Sequence, residues 1–220
     1  MTQSEENYLK IIYHLSLVFK SEISTNAIAE KMETKASSVT DMLKKLSEKE
    51  LVSYQKYHGV LLTEKGLLAA KMIVRKHRLW EVFLVEKLNF TWDEVHEIAE
   101  ELEHIKSQKL VDKLDKFLEY PSKDPHGDPI PDKNGLIPKT EKQLLSEIEI
   151  NKKCICVGVK DSSSEFLQYL DKQKIALGSK ITILEKEAFD DSMVIEIKKV
   201  KVLISSKIAN NLFIKKIQNE

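Results

Sequence analysis

The sequence predicts a mainly α protein with added β structure, opening on a winged helix-turn-helix and closing on a β-rich part. Three observations predict it. Apolar residues recur at helical spacing through the first half, a short hairpin pattern interrupts them near residue 58, and strand-like alternation takes over after residue 153. At 220 residues the chain can hold one large domain or two or three small ones. Its 35 basic and 35 acidic residues cancel, so only their local distribution bears on nucleic acid. No apolar run is long enough to span a membrane, and the start, Met-Thr-Gln-Ser-Glu-Glu, lacks the basic and apolar regions of a signal peptide. The expected location is cytoplasmic. Cys154 and Cys156 lie on one face of an expected strand, poorly placed for a mutual disulfide, and two thiols alone do not make a zinc site.

Tyr8, Ile11, Ile12, Leu15, Val18 and Phe19 follow the i, i+3, i+4, i+7 rhythm, which predicts a first amphipathic helix over residues 4–19. Ser24 or Thr25 can cap a shorter second helix carrying Ile28, Ala29 and Met32. Val39, Met42, Leu43 and Leu46 set a third, with Ser37 or Ser38 placed as its cap. Residues 51–57 and 60–63 read as two short strands turning at His58-Gly59, where glycine tolerates positive φ. Helix, helix, turn, helix and hairpin in that order describe a winged helix-turn-helix, whose third helix enters the DNA major groove. Lys35, Ser37, Ser38, Thr40, Asp41, Lys44 and Lys45 sit at or near the start of that helix, and Lys56 is in the wing. Lysines, hydroxyls and first-turn amides suit phosphate contact, and Asp41 can accept from a cytosine amino group.

Thr63 can cap a long helix reaching about residue 88, and Thr91 with Glu94 forms a capping box for the next. Residues 95–105 read V-H-E-I-A-E-E-L-E-H-I. On a helix His96, Glu100, Glu103 and His104 fall within a sector of roughly 100°, beside a packing face of Val95, Ile98, Ala99, Leu102 and Ile105. His77 and Glu81 repeat the i, i+4 arrangement on the preceding helix. Facing stripes of imidazole and carboxylate are what a divalent metal needs, more than a solvated face does. A further amphipathic stretch over residues 107–118 leaves surplus apolar surface, for which a homodimer is the outlet. Glu101-x-x-His104 superficially fits a metal-binding bundle enzyme, but di-iron bundles need that motif on two helices plus a Glu from each of two more. No enzyme is expected.

Beyond a Pro and Gly cluster, residues 140–150 read as a charged linker. Strands are expected over residues 154–159, 180–187, 194–198 and 200–204, with a helix over 164–172 between the first two.

The order of these features resembles the diphtheria toxin repressor family of metal-dependent transcriptional regulators, particularly its manganese-sensing branch. The resemblance is carried by Arg75 to Glu81, by His96 to His104 and by Pro125-His126-Gly127-Asp128-Pro129-Ile130-Pro131. It implies a DNA-binding domain over residues 1–71, a helical metal-binding and dimerisation domain over 72–139, the linker 140–150 and a small SH3-like β-barrel over 151–220. It further implies a dimeric repressor of metal-homeostasis genes, acting on palindromic double-stranded operator DNA when Mn²⁺ is bound, with Fe²⁺ the alternative. Two metal ions per subunit are implied, a primary one held by Asn7, Glu100, Glu103 and His104 and a second by His77, Glu81, His96 and a C-terminal carboxylate. Asp161 is the first candidate for that carboxylate and Glu165 the fallback. Asn7 departs from the family, which carries Asp or Met there, so Glu5 or Glu6 are alternative donors from the first helix. Glu100 stands where iron-responsive members have a thiolate, which favours the harder Mn²⁺.

Overall fold

The structure is a computed structural model that describes residues 1–19, 21–55 and 58–217. Lys56 and Tyr57 of the expected wing lie outside the described residues. Two compact units emerge, one of Met1–Trp80, Ala99–Tyr120 and Ile130–Ile137, the other of Glu81–Ile98, Pro121–Pro129 and Pro138–Glu220.

The first unit opens with α1 (Gln3–Val18), whose start is closed by a capping box between Thr2 and Glu5. Helix α2 (Thr25–Lys31) is capped by Ser24, which decides between the two candidates. Helix α3 (Ala36–Glu48) has Lys35 at its N-cap with no side-chain cap bond. Ser37 and Ser38, expected as caps, lie inside the first turn with their hydroxyls uncommitted to that role. Strands β1 (Val52–Gln55) and β2 (Gly59–Leu62) pair antiparallel, and Ile23 adds a bridge to Val60. That bridge explains Gly59: at φ +121 a Cβ there would stand 2.7 Å from the Ile23 carbonyl oxygen. Leu9, Ile12, Ile28, Val39, Leu43, Leu46 and Val60 are fully buried together, so the three helices and the hairpin share one core. Each such side chain contributes about 1.5–3 kcal/mol by leaving water.

Helix α4 (Glu64–Leu88) begins where Thr63 Oγ1 accepts from Gly66 N at 3.0 Å. Helix α5 (Val95–Leu102) is shorter than the sequence pattern suggests, because its last regular residue is Leu102. Glu103 N still bonds Ala99 O at 2.9 Å, but Glu103 and His104 themselves occupy the turn that follows. The expected four-residue stripe is therefore not carried by one continuous helix. Helix α6 (Gln108–Phe117) follows, capped by Ser107. In the first unit, Arg75 ties α4 to α6 and to the 130–137 segment, donating to Asp115 Oδ2 and to Pro131 O at 2.6 Å each.

The second unit centres on a six-stranded antiparallel sheet. Its strands are β3 (Gln143–Leu144), β4 (Lys153–Val159), β5 (Lys180–Lys186), β6 (Met193–Ile197), β7 (Val200–Ile204) and β8 (Leu212–Lys216), in the order β3-β8-β4-β5-β6-β7. Helix α7 (Ser164–Lys172) and the short α8 (Ser206–Ala209) pack Leu167, Leu170 and Ala209 into its core. Residues 140–150 are not a linker. They supply β3 and a 3₁₀ turn, Leu145–Glu147, and bury Leu145 and Ile148 completely against the sheet. Cys154 and Cys156 are buried free thiols in β4, pushed by burial to about 12 and about 11 respectively.

Candidate metal centre and nucleic-acid interface

In the first unit α1 meets the segment just after α5. Glu103, fully buried, places Oε1 3.9 Å from His104 Nε2. His104 Nδ1 lies 2.7 Å from Glu6 Oε2; in the neutral ring whose Nδ1–H donates to that carboxylate, Nε2 is left with the lone pair. Glu103 Oε1, His104 Nε2 and the Asn7 side-chain carbonyl oxygen are buried with no hydrogen-bond partner among the described residues. Three acceptors in that state cost about 1–3 kcal/mol each, which a bound cation offsets. All three are electron-pair donors, and a carboxylate, an imidazole and an amide carbonyl form the kind of N/O set that binds first-row divalent ions. Glu6, an alternative ligand in the sequence reading, instead orients His104. Glu5 is taken by Lys49, whose Nζ donates to Oε1 at 2.6 Å and, with that hydrogen bond the main cause, holds its pKa below the ordinary carboxylate value.

On the other side of Glu103, Oε2 accepts from His77 Nδ1 at 2.7 Å and from Lys10 Nζ at 2.5 Å. Lys10 also donates to Glu100 Oε1. Burial by itself would raise the Glu103 pKa, but the His77 hydrogen bond and the charges of Lys10 and His77 outweigh it and hold the carboxyl ionised, below its ordinary value. His77, Glu100 and Glu103 each offer a ligand atom within 4.8 Å of the others. His77 thus engages Glu103 within the first unit.

The second unit has its own group, Glu81, Asp124 and His126, all buried and with ligand atoms within 4.8 Å of one another. His126 Nε2–H donates to Trp92 O at 2.7 Å, which leaves Nδ1 facing Glu81 Oε1 at 3.6 Å. Burial alone would lower the His126 pKa. The hydrogen bond and charge of Glu81, with Asp124 and the Trp92 carbonyl, more than reverse that and raise it to about 8. Half-exposed His96 approaches the same Glu81 oxygen at 3.7 Å. The loop is held by its backbone: Asp124 Oδ1 accepts from His126 N and Asp128 N, and Val159 N donates to His126 O. At Gly127, φ +89, a Cβ would fall 2.2 Å from Val157 O, so only glycine lets the loop lie this close to β4.

Asp124 and His126 were not among the residues the spacing singled out. The signal present was an Asp and a His two apart, next to a glycine, in a proline-rich loop. Among the described residues Asp161 joins none of the converging groups; its Oδ1 accepts from Ser163 N at 2.9 Å, and Glu165 is exposed.

The DNA-facing candidates lie in the first unit. Lys35, Ser37, Ser38, Asp41, Lys44 and Lys45 are exposed on or beside α3, and Thr40 is half-buried with its hydroxyl bonded to Ala36 O. Asp41 sits 3.5 Å from Lys44, an exposed i, i+3 pair. A groove lined by Ser24, Thr25, Asn26, Thr40, Tyr54 and His58 runs between α3 and the hairpin. Lys56, the wing candidate, lies outside the described residues.

Residues 1–60 match the family described as iron dependent repressor, N-terminal DNA binding domain, and residues 63–132 its metal binding and dimerisation domain. Residues 143–216 match the FeoA domain. An uncharacterised HTH-type transcriptional regulator of Methanocaldococcus jannaschii is 40% identical over 119 residues, covering 54% of this chain and 95% of that protein. The HTH-type transcriptional regulator MntR of Oceanobacillus iheyensis is 34% identical over 119 residues, covering 54% and 80%. Among solved structures, a manganese-dependent transcriptional repressor in complex with manganese superposes with a TM-score of 0.86 at 32% identity, over 97% of this chain and 100% of that one. The apo form of the manganese-activated repressor ScaR gives 0.79 at 36% identity, over 96% and 100%.

Proposed function

The chain belongs to the diphtheria toxin repressor family of iron-dependent repressors and is a metal-dependent DNA-binding transcriptional repressor rather than an enzyme; from that premise we propose that Mn²⁺ is its activating ion. The observation that carries this reading is the set of three buried, unpartnered donors, Asn7 Oδ1, Glu103 Oε1 and His104 Nε2. Together with Glu100 they form the primary site. Asn7, Glu100, Glu103 and His104 would hold a divalent cation there, whose positive charge would answer the unpartnered acceptors of α1 and of the segment after α5. A second ion per subunit is assigned to Glu81, Asp124 and His126, with His96 beside Glu81. The donor sets contain no thiolate, and the solved relatives named for manganese point the same way. Fe²⁺ is the competing ion.

Residues 1–71 serve as the DNA-binding part, 72–139 as the metal-binding and dimerising part. DNA and a second copy of the chain are its partners, in keeping with the two matched domains. Leu110, Phe117 and Tyr120 are exposed at 40%, 60% and 65%, apolar surface suited to a homodimer contact. A two-fold dimer presents two α3 helices to a palindromic operator, through the exposed Lys35, Ser37, Ser38, Lys44 and Lys45, with Lys56 from the wing. Holding α1 in place orders the core on which α3 rests, so metal and DNA affinities are coupled reciprocally, by about 1–3 kcal/mol in typical cases. The regulator acts in the cytoplasm on genes of metal homeostasis.

The test is an anaerobic anisotropy titration on DNA selected from a random pool, run in parallel with Mn²⁺, Fe²⁺, Zn²⁺ and chelator. Mn²⁺ is expected to tighten binding at least tenfold, and Glu103→Ala and His104→Ala to lose that response while keeping the wild-type circular dichroism spectrum. Equal affinity with chelator and with Mn²⁺ refutes the proposal.

A further inference from the structure

We propose that Lys10 is a tethered cation occupying the His77–Glu100–Glu103 triangle, so that the first unit takes one divalent ion on the outer side of Glu103 instead of a carboxylate-bridged pair. The proposal rests on the metal reading above and adds to it a residue that limits stoichiometry.

Three observations carry it. Lys10 is 7% exposed, yet it projects from α1 into a nest of charged groups about ninety positions downstream. Its ammonium donates to Glu100 Oε1 and to Glu103 Oε2, and stands 3.3 Å from His77 Nδ1. Those three residues are the very ones whose ligand atoms converge within 4.8 Å, so the ammonium sits where they would place an ion. Without it the triangle holds two carboxylates and an imidazole, the donor set of a divalent-cation site.

Glu103 explains why the count matters. Its two oxygens look in different directions: Oε2 toward His77 and Lys10, Oε1 toward His104 Nε2 without a partner. A carboxylate placed this way can bridge two cations. Here one of the two positions is filled covalently by the protein, as an ammonium that cannot leave. The same contact pins α1 to the segment around Glu103 through Lys10 before any ion arrives. Lysine suits the role because its compact charge rides on a flexible stem that reaches a buried site.

The experiment counts metal. Wild type, Lys10→Met and Lys10→Gln are dialysed against buffered Mn²⁺, and bound manganese per chain is measured by mass spectrometry, with Mn²⁺ electron paramagnetic resonance on the same samples. Both variants are expected to gain one ion per chain over wild type and to show the broadened, spin-coupled signal of a bridged pair. Adding His77→Ala is expected to remove the gain. Lys10→Gln keeps a hydrogen-bond donor toward Glu103, so it preserves packing if Lys10→Met does not fold. An unchanged manganese count in a folded Lys10 variant overturns the proposal. If wild type itself loses no ion in His104→Ala, the primary-site assignment fails instead, and the gain or absence of gain at Lys10 still decides the present one.

Discussion

Protonation of His126 is expected to make the metal-free protein pH-dependent in a specific window. Its folded pKa of about 8 lies above the ordinary 6.5 because the ring is enclosed with Glu81 and Asp124 while its Nε2–H is fixed on the Trp92 carbonyl. A pKa raised on folding contributes stability fully present below pH 6.5 and lost as pH rises through about 8. At about 1.4 kcal/mol per pH unit, the gap between the two values amounts to about 2 kcal/mol. The side chain is 5% exposed, so solvent screening does little to reduce that figure. Urea unfolding of chelator-treated protein at pH 6 and pH 9, followed through the indole resonance of Trp92, which stacks on the His126 ring at 6.3 Å, measures it. Wild type is expected to lose about 2 kcal/mol more than His126→Gln over that interval. The same residue predicts that metal binding at this group expels a proton below pH 8, so affinity climbs with pH up to that point and then levels off. An identical pH dependence in wild type and His126→Gln would refute the assignment of a charged His126.

Three further outcomes can be checked. Arg75→Ala is expected to cost about 3–5 kcal/mol, because it strands Asp115 as a buried charge; chemical denaturation of the single variant and of Arg75→Met with Asp115→Leu, which should recover most of the loss, measures it. Gly127→Ala forces a Cβ to within 2.2 Å of Val157 O and should displace the 124–128 loop, lowering the metal capacity of the second unit by one ion while residues 1–60 keep their chemical shifts. With thiols raised to about 12 and about 11, Cys154 and Cys156 should resist a disulfide reagent at pH 8 in the native protein and react rapidly in urea.

The sequence was most legible where periodicity constrains side-chain direction. Helices α2, α4, α6 and α7 and strand β7 start and stop within a residue or two of the positions their apolar rhythm and caps predict. Legibility failed where an element is too short to show a period. Strand β3 has two residues and the 3₁₀ turn three, so Leu145 and Ile148 looked like isolated apolar residues in a charged stretch although the sheet buries both. The metal-type residues divide by the same rule. His77, Glu81, His96 and Glu100 lie on helices, where spacing shows that they share a face. Asp124 and His126 sit in a loop, where only the adjoining Gly127 hints at how tightly the backbone is held.

Lys10 marks the deeper limit. Read locally, a lysine four residues after Glu6 on an amphipathic helix is an ordinary surface residue, favoured by a weak i, i+4 pair. Its burial is imposed by Glu100, on α5, and by Glu103, in the turn that local rules place on a continuing helix. A charge becomes a site element only when distant segments remove it from water and match it, and that matching is a property of the tertiary fold. The consequence is directional: replacing Glu103 should leave Lys10 as a buried ammonium with one fewer carboxylate, so Glu103→Ala is expected to loosen α1 even without metal, whereas Asn7→Ala, whose side-chain oxygen has no hydrogen-bond partner to lose, is not. Hydrogen exchange of the α1 amides in the metal-free variants distinguishes the two, and equal protection in both would show that Lys10 does not hold the helix.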